Sequence, residues 1–515
     1  MASKPQSAEL QTWLMIPPSR RVLAGIVLAL SNFMVVLDLT IANVSIPHIA
    51  GNLGISLDQG AWIITSYAVA EAICVPLTGW LAQRFGAVKC FMFAMVGFGV
   101  FSLLCGMSVT LGMLVACRIG QGICGAPLMP MSQTLLMRVF PPEKRGMAMG
   151  LWAMTTLAGP ALGPIIGGAI SDNISWHWIF FINLPVAAFC AVMGYLILRP
   201  IETETQRLPI DYIGLALLVF WIGCLQIMLD IGRDHDWFGD PMIVMLAIGA
   251  FIGFCVFVIW ELTEEHPIVN LRIFANRGFS AGVFTLAFGF GAYFASIVLI
   301  PQWLQSTMGY TATDAGIVTA FTAFAAMLTS QIAARMLSWA DPRMMISLAI
   351  VWMALTTLMR TQWDSSADFW TLAMPQILQG FAMSFFMIPL TSVSLSAVKP
   401  EEVPSAAGLQ NFLRTMAIAV STSLALTTWG NEQRVARSEL VSKIQPDDTV
   451  RALQSSGMSA EQGRQTISNL VESEAIMLSV NHLFWITAMV LFFAAALVWL
   501  SPKPKRAVGP GAGGH

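Results

Sequence analysis

Long apolar stretches separated by short polar connections recur along the whole chain. Each is about 17 to 27 residues long, close to the length that an α-helix needs to cross the hydrocarbon core of a bilayer. Fourteen such runs can be drawn: 22–47, 61–82, 90–108, 111–136, 147–170, 178–198, 212–231, 241–262, 279–304, 315–336, 344–360, 369–395, 406–429 and 475–500. The pattern predicts an all-α integral membrane protein with fourteen transmembrane helices.

Composition agrees with a membrane class. Of the 515 residues 56% are hydrophobic and 11% are charged, against roughly 25% charged residues in soluble domains. The net charge of −2 argues neither for nor against nucleic acid, and no basic stripe is long enough to indicate it as a partner. The eight cysteines lie in or beside predicted spans, so we expect neither a disulfide framework nor a metal site.

The distribution of basic residues predicts the orientation. With a cytoplasmic N-terminus, eighteen Lys and Arg fall in the inner tail and loops, five in the loop 430–474, and only Arg233 and Arg360 in the short outer loops. Positive residues concentrate on the cytoplasmic side of membrane proteins. Both termini should therefore face the cytoplasm.

Matched dipeptides indicate an internal duplication. At a shift of 258 residues the chain pairs Gln121-Gly122 with Gln379-Gly380, Pro142-Glu143 with Pro400-Glu401, and Gly150-Leu151 with Gly408-Leu409. Parallel repeats of six spans are a recurring transporter plan. We predict one six-helix bundle in residues 1–200, a linker with inserted helices 7 and 8 in 201–270, a second bundle in 271–500, and a disordered cytoplasmic tail in 501–515.

The segment 430–474 is the sizeable outer feature of the chain. It is polar and contains helix-like stretches such as 459–470. Two interpretations stay open from the sequence, a solvated spacer and a docking surface or lid.

The fifth apolar run carries an unusual load of residues that weaken helices. Prolines within a span require neighbouring helices or local readjustment to satisfy the freed carbonyls. Glycines spaced by three to four residues allow another helix to approach closely. We expect a bendable, tightly packed helix that acts as hinge and seal, built from Gly159, Gly163, Pro164, Gly167 and Gly168.

Four charged residues fall within spans, where each costs roughly 2.5–3.5 kcal/mol on insertion scales and usually faces a cavity or a partner. We take Asp38 as the leading proton carrier, with a permanent ion pair to Arg118 as the alternative. An arginine stays charged, so Arg118 should tune a carboxylate or bind an anion. Glu71 is either a second proton site or an exposed carboxylate, and Arg414 is interpreted as stabilising the contact between the halves.

A short turn follows the second span. Gly79 and Gly86 permit a tight connection there, and Arg84 can bond helix-end carbonyls or a carboxylate across the loop. We expect this turn to hold one conformation.

Taken together, these motifs resemble those of the major facilitator superfamily. They are the 79–89 turn, Arg118 with Gln121-Gly122, the glycine-rich fifth span and the 37–47 stretch around Asp38. The last two resemble its fourteen-span drug:proton antiporter branch, and the 178–185 stretch with the long last outer loop is similar to the EmrB/QacA group. The superfamily usually has an acidic residue where Gln83 stands.

This resemblance implies a fold and a function. It implies a major facilitator fold of two six-helix bundles plus an inserted helix pair, exporting hydrophobic or amphipathic drugs against proton entry across the bacterial inner membrane. It also implies an EmrA-like membrane-fusion adaptor and a TolC-like outer-membrane channel as partners. The proton gradient is the energy source, and we expect no catalytic residue, cofactor or metal.

Two other readings compete. A dedicated exporter of one physiological molecule, such as a fatty acid or siderophore, would share these motifs. A membrane sensor or intramembrane enzyme is the other, but the sequence contains no zinc-binding His-Glu-x-x-His pattern or nucleophile elbow. The sequence also contains no phosphate-binding loop, which argues against an ATP-driven pump.

Overall fold

The computed structural model of the protein describes residues 9–141, 144–206, 209–233, 235–337, 339–443 and 459–502. Within these ranges the chain forms α-helices joined by turns and short 3-10 segments. The helices are α1 (Pro18–Val44), α2 (Ile46–Leu53), α3 (Leu57–Cys74), α4 (Thr78–Phe85), α5 (Ala87–Gly106), α6 (Leu111–Gly125), α7 (Leu128–Val139), α8 (Arg145–Asn173), α9 (Trp178–Phe181), α10 (Asn183–Leu198), α11 (Tyr212–Ile231), α12 (Pro241–Thr263), α13 (Arg277–Ser306), α14 (Ala312–Met336), α15 (Pro342–Arg360), α16 (Phe369–Ser396), α17 (Val403–Lys443) and α18 (Ala460–Leu497).

Most of these helices are long and apolar enough to cross a bilayer. In the described ranges twelve helical segments meet that requirement, and the bent α8 makes a thirteenth. The fourteenth predicted span lies in α17, which packs on α13 and α18 and is less apolar because it buries polar residues such as Gln410, Asn411 and Arg414. The predicted all-α, multi-pass fold is confirmed.

The helices pack as two bundles with a pair between them in sequence. In the first bundle α1 packs on α8 and α10, and α6 packs on α3 and α5. In the second, α13 packs on α17 and α18, and α15 packs on α16 and α18. The inserted α11 and α12 pair with each other, and α11 also contacts α3 and α17. The domain boundaries drawn from the sequence stay predictions.

We call the end of the molecule where α1 begins and α18 ends the terminal face. Here the two bundles meet, because α17 packs on α4 and α7, and the start of α8 packs on the end of α14. The buried Asn411 on α17 donates a 2.6 Å hydrogen bond from Nδ2 to Oε1 of Gln133 on α7. The bundles are therefore joined at the terminal face in this structure.

At the opposite end, α17 and α18 continue beyond a membrane's thickness. They have 41 and 38 residues, about 60 Å of helix against a hydrocarbon core of about 30 Å. Glu472 joins the two, accepting from Gln433 at 2.6 Å and pairing with Arg437 at 3.0 Å. We call residues 431–443 and 460–474 the helical extension. The predicted helix near 459–470 is confirmed, whereas 444–458 and most of the tail, 503–515, lie outside the described residues.

Candidate functional site

A buried carboxylate on α1 connects three helices of the first bundle. Asp38 is fully buried. Its Oδ2 accepts from Arg118 Nη1 on α6 at 2.6 Å. Its Oδ1 accepts from Gln121 Nε2 on α6 at 3.0 Å and from Asn183 Nδ2 on α10 at 2.7 Å. Any change in the charge of this one carboxylate therefore acts on α1, α6 and α10 together.

Arg118 is held by residues of α3 as well as by Asp38. Its Nε donates to the carbonyl of Ile63 on α3 at 3.1 Å, and its guanidinium lies 4.2 Å from the centre of the Tyr67 ring. Nη2 has no hydrogen-bond partner among the described residues. The ion pair considered in the sequence analysis exists in this structure. The two readings differ in whether it opens during transport.

Sequence reasoning missed two members of this centre. The sequence motifs include Gln121 and Asn183, but nothing in those motifs identifies either residue as a partner of Asp38. Asn183 also donates to Ser102 Oγ at 3.1 Å, which extends the polar network from Asp38 through Asn183 to Ser102. The available signal was an amide within an otherwise apolar run, since a buried amide requires polar partners.

Glu71 and Arg414 lie on opposite sides of the space between the bundles. Glu71 on α3 is 4% exposed and Arg414 on α17 is 5% exposed, so both charged side chains are buried. The Arg414 guanidinium donates to Met129 Sδ of the first bundle and lies 5.6 Å from the Trp152 ring centre. The structure thus places one charge of this pair on each bundle.

The glycines of the fifth span form the contact face between α8 and α1. An added Cβ on Gly159, Gly163 or Gly167 would overlap α1 residues, namely Val36, Thr40 and Ile41 respectively. Gly168 faces open space. The helix bends by 45° between Arg145–Pro160 and Ile165–Asn173, with Pro164 inside the bend. The close partner is a helix of the same bundle.

A different part of α8 meets the second bundle. An added Cβ on Gly146 would lie 3.1 Å from the Ala334 carbonyl, and one on Gly150 would lie 3.4 Å from the Ala334 Cβ. The contact with α14 is therefore roughly two and a half to three and a half turns before the glycine-rich stretch.

The turn after the second span touches the other bundle. Gly79 packs so closely on Ser405 of α17 that an added Cβ would overlap it, and Gln83 Nε2 donates to Ser405 Oγ at 3.4 Å. Gly86 has a φ of 93°, which favours glycine. Arg84 lies over the Trp80 ring at 5.2 Å. The turn thus forms part of the closed terminal face.

The position of Arg360 differs from the sequence prediction. It was assigned to a short outer loop, but it is the last residue of α15 and is fully buried. Its Nη2 donates to Gln376 Oε1 on α16 at 2.8 Å. The predicted run also ended at residue 360, so the difference lies in the side chain, which is buried against polar groups of the bundle and does not face water.

Comparisons with known proteins agree with this architecture. Residues 28–422 match the model of the Major Facilitator Superfamily. The chain is 42% identical to Multidrug export protein EmrB of Escherichia coli (strain K12), over 96% of this chain and 98% of that protein. It is 39% identical to Fatty acid resistance protein FarB of Neisseria gonorrhoeae, over 95% and 97%.

A solved structure supports the fold independently of sequence. The human organic anion transporter MFSD10 (TETRAN) aligns with a TM-score of 0.56 at 14% identity, covering 92% of this chain and all of that one. With the sequence relatives, this makes the protein a membrane transporter rather than an enzyme. The chain belongs to the major facilitator superfamily, within its EmrB-like group of multidrug exporters.

Proposed function

We propose that the protein couples drug export to proton entry by alternating access of its two bundles, with Asp38 as the proton carrier. The observation that carries this proposal is the three-donor contact of the buried Asp38 carboxylate with α6 and α10. Proton uptake removes the negative charge that holds Arg118, Gln121 and Asn183. The contacts of α1 with both helices then weaken together.

The contact between α1 and α8 gives this change a route to the interface. Thr40, two residues from Asp38, donates to the Gly159 carbonyl on α8 at 3.1 Å. The same α8 meets α14 of the second bundle through Gly150. A shift of α1 therefore acts on a bent helix that reaches both bundles, which supports a hinge role for the glycine-rich stretch.

The available energy is adequate for such coupling. One proton moving inward through about 150 mV releases roughly 3.5 kcal/mol. At one-to-one coupling this concentrates a neutral substrate roughly 300-fold.

The second bundle contains a cavity suited to apolar substrates. It has a volume of about 410 Å³ and lies between α13, α17 and α18. Its lining is mainly aliphatic and aromatic, with Phe284, Phe288, Leu413, Met416, Leu424 and Leu483 among the contributors. Apolar walls with few polar groups are typical of sites that bind hydrophobic ligands. We assign this cavity as a place where amphipathic compounds bind.

A disulfide between the bundles tests alternating access. We expect Gly150→Cys with Ala334→Cys, once oxidised, to reduce drug transport in liposomes at least about tenfold, because it fixes α8 on α14, and a reductant should restore transport. The Cβ positions are 3.4 Å apart, near the about 3.5–4.5 Å of disulfides.

The matched control places the crosslink inside one bundle. Gly99→Cys with Ala187→Cys, whose Cβ atoms would be 3.2 Å apart, should leave transport unchanged after oxidation. Undiminished transport by a fully oxidised 150–334 pair would exclude rocking about this contact.

We also propose that the helical extension docks an EmrA-like periplasmic adaptor, which connects to a TolC-like channel. The extension exposes apolar side chains on both helices, including Val441 at 55% and Leu470 at 62%. This assigns the inner membrane as the location and the cytoplasm to the terminal face. It favours the docking reading of segment 430–474 over the solvated spacer.

Charge placed on that surface separates docking from transport. Val441→Glu with Leu470→Glu should abolish co-purification of the adaptor and lower drug resistance in cells, while transport in liposomes persists. Phe238→Glu, at a 68% exposed position between α11 and α12, is the control and should retain adaptor. Full adaptor recovery with the double variant would assign docking elsewhere.

A dedicated fatty acid exporter is the second candidate, because the relative FarB is named for fatty acid resistance. A panel of cell susceptibility assays distinguishes the two. Resistance to several unrelated compounds supports the multidrug function, and resistance confined to fatty acids supports the dedicated one.

A further inference from the structure

The second bundle buries an arginine that has no acidic partner among the described residues. Arg360 is fully buried at the end of α15. Its Nη2 donates to Oε1 of Gln376 and Gln379 on α16. Its Nε and Nη1 have no hydrogen-bond acceptor in the described part of the chain. Three of the five N–H bonds of this buried cation are thus unused.

The surroundings of this arginine are neutral and supply further unused donors. The Nε2 atoms of Gln376 and Gln379 are buried and also have no acceptor among the residues that the structure describes. The Phe484 ring centre lies 5.9 Å from the guanidinium. Thr322 already donates to Gln376 Oε1 at 3.2 Å. The cluster therefore has donors in excess and a net positive charge.

The duplication predicted from the sequence offers a comparison between the two bundles. At the 258-residue shift Gln379 corresponds to Gln121, and Ser296 occupies the position of Asp38. Ser296 is buried, so the first bundle's carboxylate position holds an uncharged hydroxyl here. Arg118 and Arg360 come from different helices of their bundles. The second bundle thus has an arginine and the shared glutamine without the acid that balances the charge in the first.

A buried, uncompensated cation is costly unless a counter-ion accompanies it. We propose that Arg360, Gln376 and Gln379 form a binding site for a compact monoanion, either a halide or the carboxylate head of an amphipathic acid. The free N–H groups on Nε and Nη1, together with the free amide N–H groups of the two glutamines, are donors of the kind that bind a carboxylate or a small anion. Anion binding at this site does not require proton coupling, so it can be tested independently of the proposed function.

Thermal unfolding of the purified full-length protein tests this site. At constant ionic strength, replacing the bulky sulfonate HEPES by chloride should raise the unfolding midpoint by about 2 °C or more, because an anion that binds the folded state stabilises it. Sodium octanoate, compared with octan-1-ol in the sulfonate buffer, tests the carboxylate. A shift with chloride identifies a free halide, and a shift with octanoate alone identifies a carboxylate head group.

Variants assign the shift to the cluster. Arg360→Gln should remove the anion-dependent shift, and Arg360→Lys, which keeps the charge, should retain part of it. Arg343→Gln is the control on the same helix, where Arg343 already bonds the Ser501 carbonyl and pairs with Asp341. It should keep the full shift.

If Arg360→Gln fails to fold, the unfolding midpoints of the wild-type protein in the three anions still provide a test. Identical midpoints of the wild-type protein in sulfonate, chloride and octanoate would overturn the site. An undiminished shift in folded Arg360→Gln would overturn its assignment to this arginine.

Discussion

Asp38→Asn abolishes substrate-dependent proton flux in liposomes that carry an imposed pH gradient. The asparagine has the shape of the carboxylate but cannot exchange a proton at physiological pH. We expect at least about a hundredfold loss of flux and loss of drug resistance in cells. Because Arg118 is then buried without its acidic partner, the folded state should also lose about 3–5 kcal/mol.

A charge-neutral double variant separates the proton carrier from a permanent ion pair. Asp38→Asn with Arg118→Gln removes both charges, so the cost of an unpaired buried cation disappears and thermal stability should recover. The proton-carrier reading requires that proton flux stay absent in this stable variant. Restored flux would instead identify the pair as structural. Asp314→Asn, in the exposed first turn of α14, controls for the loss of a carboxylate elsewhere.

Gly163→Leu should abolish drug transport while the protein still inserts into the membrane. An added Cβ at Gly163 would overlap the Thr40 side chain on α1, two residues from Asp38. Leucine therefore forces α8 away from α1. Overpacking of this kind typically costs about 1–3 kcal/mol, and the separation breaks the contact by which α1 acts on the hinge. Efflux by cells that contain equal amounts of each protein measures the effect.

Gly168→Leu is the matched control for this substitution. It introduces the same side chain five residues further along the same helix, where nothing lies within 4 Å of an added Cβ. Transport should stay within about twofold of the wild-type protein. Equal losses in both variants would show that glycine is needed for helix bending, and normal transport by Gly163→Leu would refute the contact's role.

The sequence was sufficient to predict the membrane class, nearly every span and the helical part of the outer segment. These follow from the length and apolarity of single stretches, which are local properties. The partner of the glycine-rich span was not predictable in the same way. Glycine spacing indicates that some helix approaches closely, but which one depends on how the bundle assembles, and the structure places α1 there.

The candidate site shows the same division. An ion pair between Asp38 and Arg118 could be predicted as one of two interpretations, because charges within spans need partners. Gln121 lies one helical turn after Arg118, so their spacing places both on one face of α6. Asn183 joins them through the packing of α10, which no spacing in the sequence encodes. Arg360 was assigned to an outer loop because a charge at the end of an apolar run does not show whether it faces water or the inside of a bundle.

The inserted helix α11 contacts α3 of one bundle and α17 of the other, and Ser423 of α17 donates to the Leu229 carbonyl at 2.8 Å. On the other flank α8 and α14 meet without an additional helix pair between them. The two flanks of the molecule are therefore not equivalent for a compound diffusing laterally within a leaflet. A compound dissolved in the lipid therefore meets one flank that α11 covers and one that it leaves uncovered, so access from the bilayer depends on the side of approach.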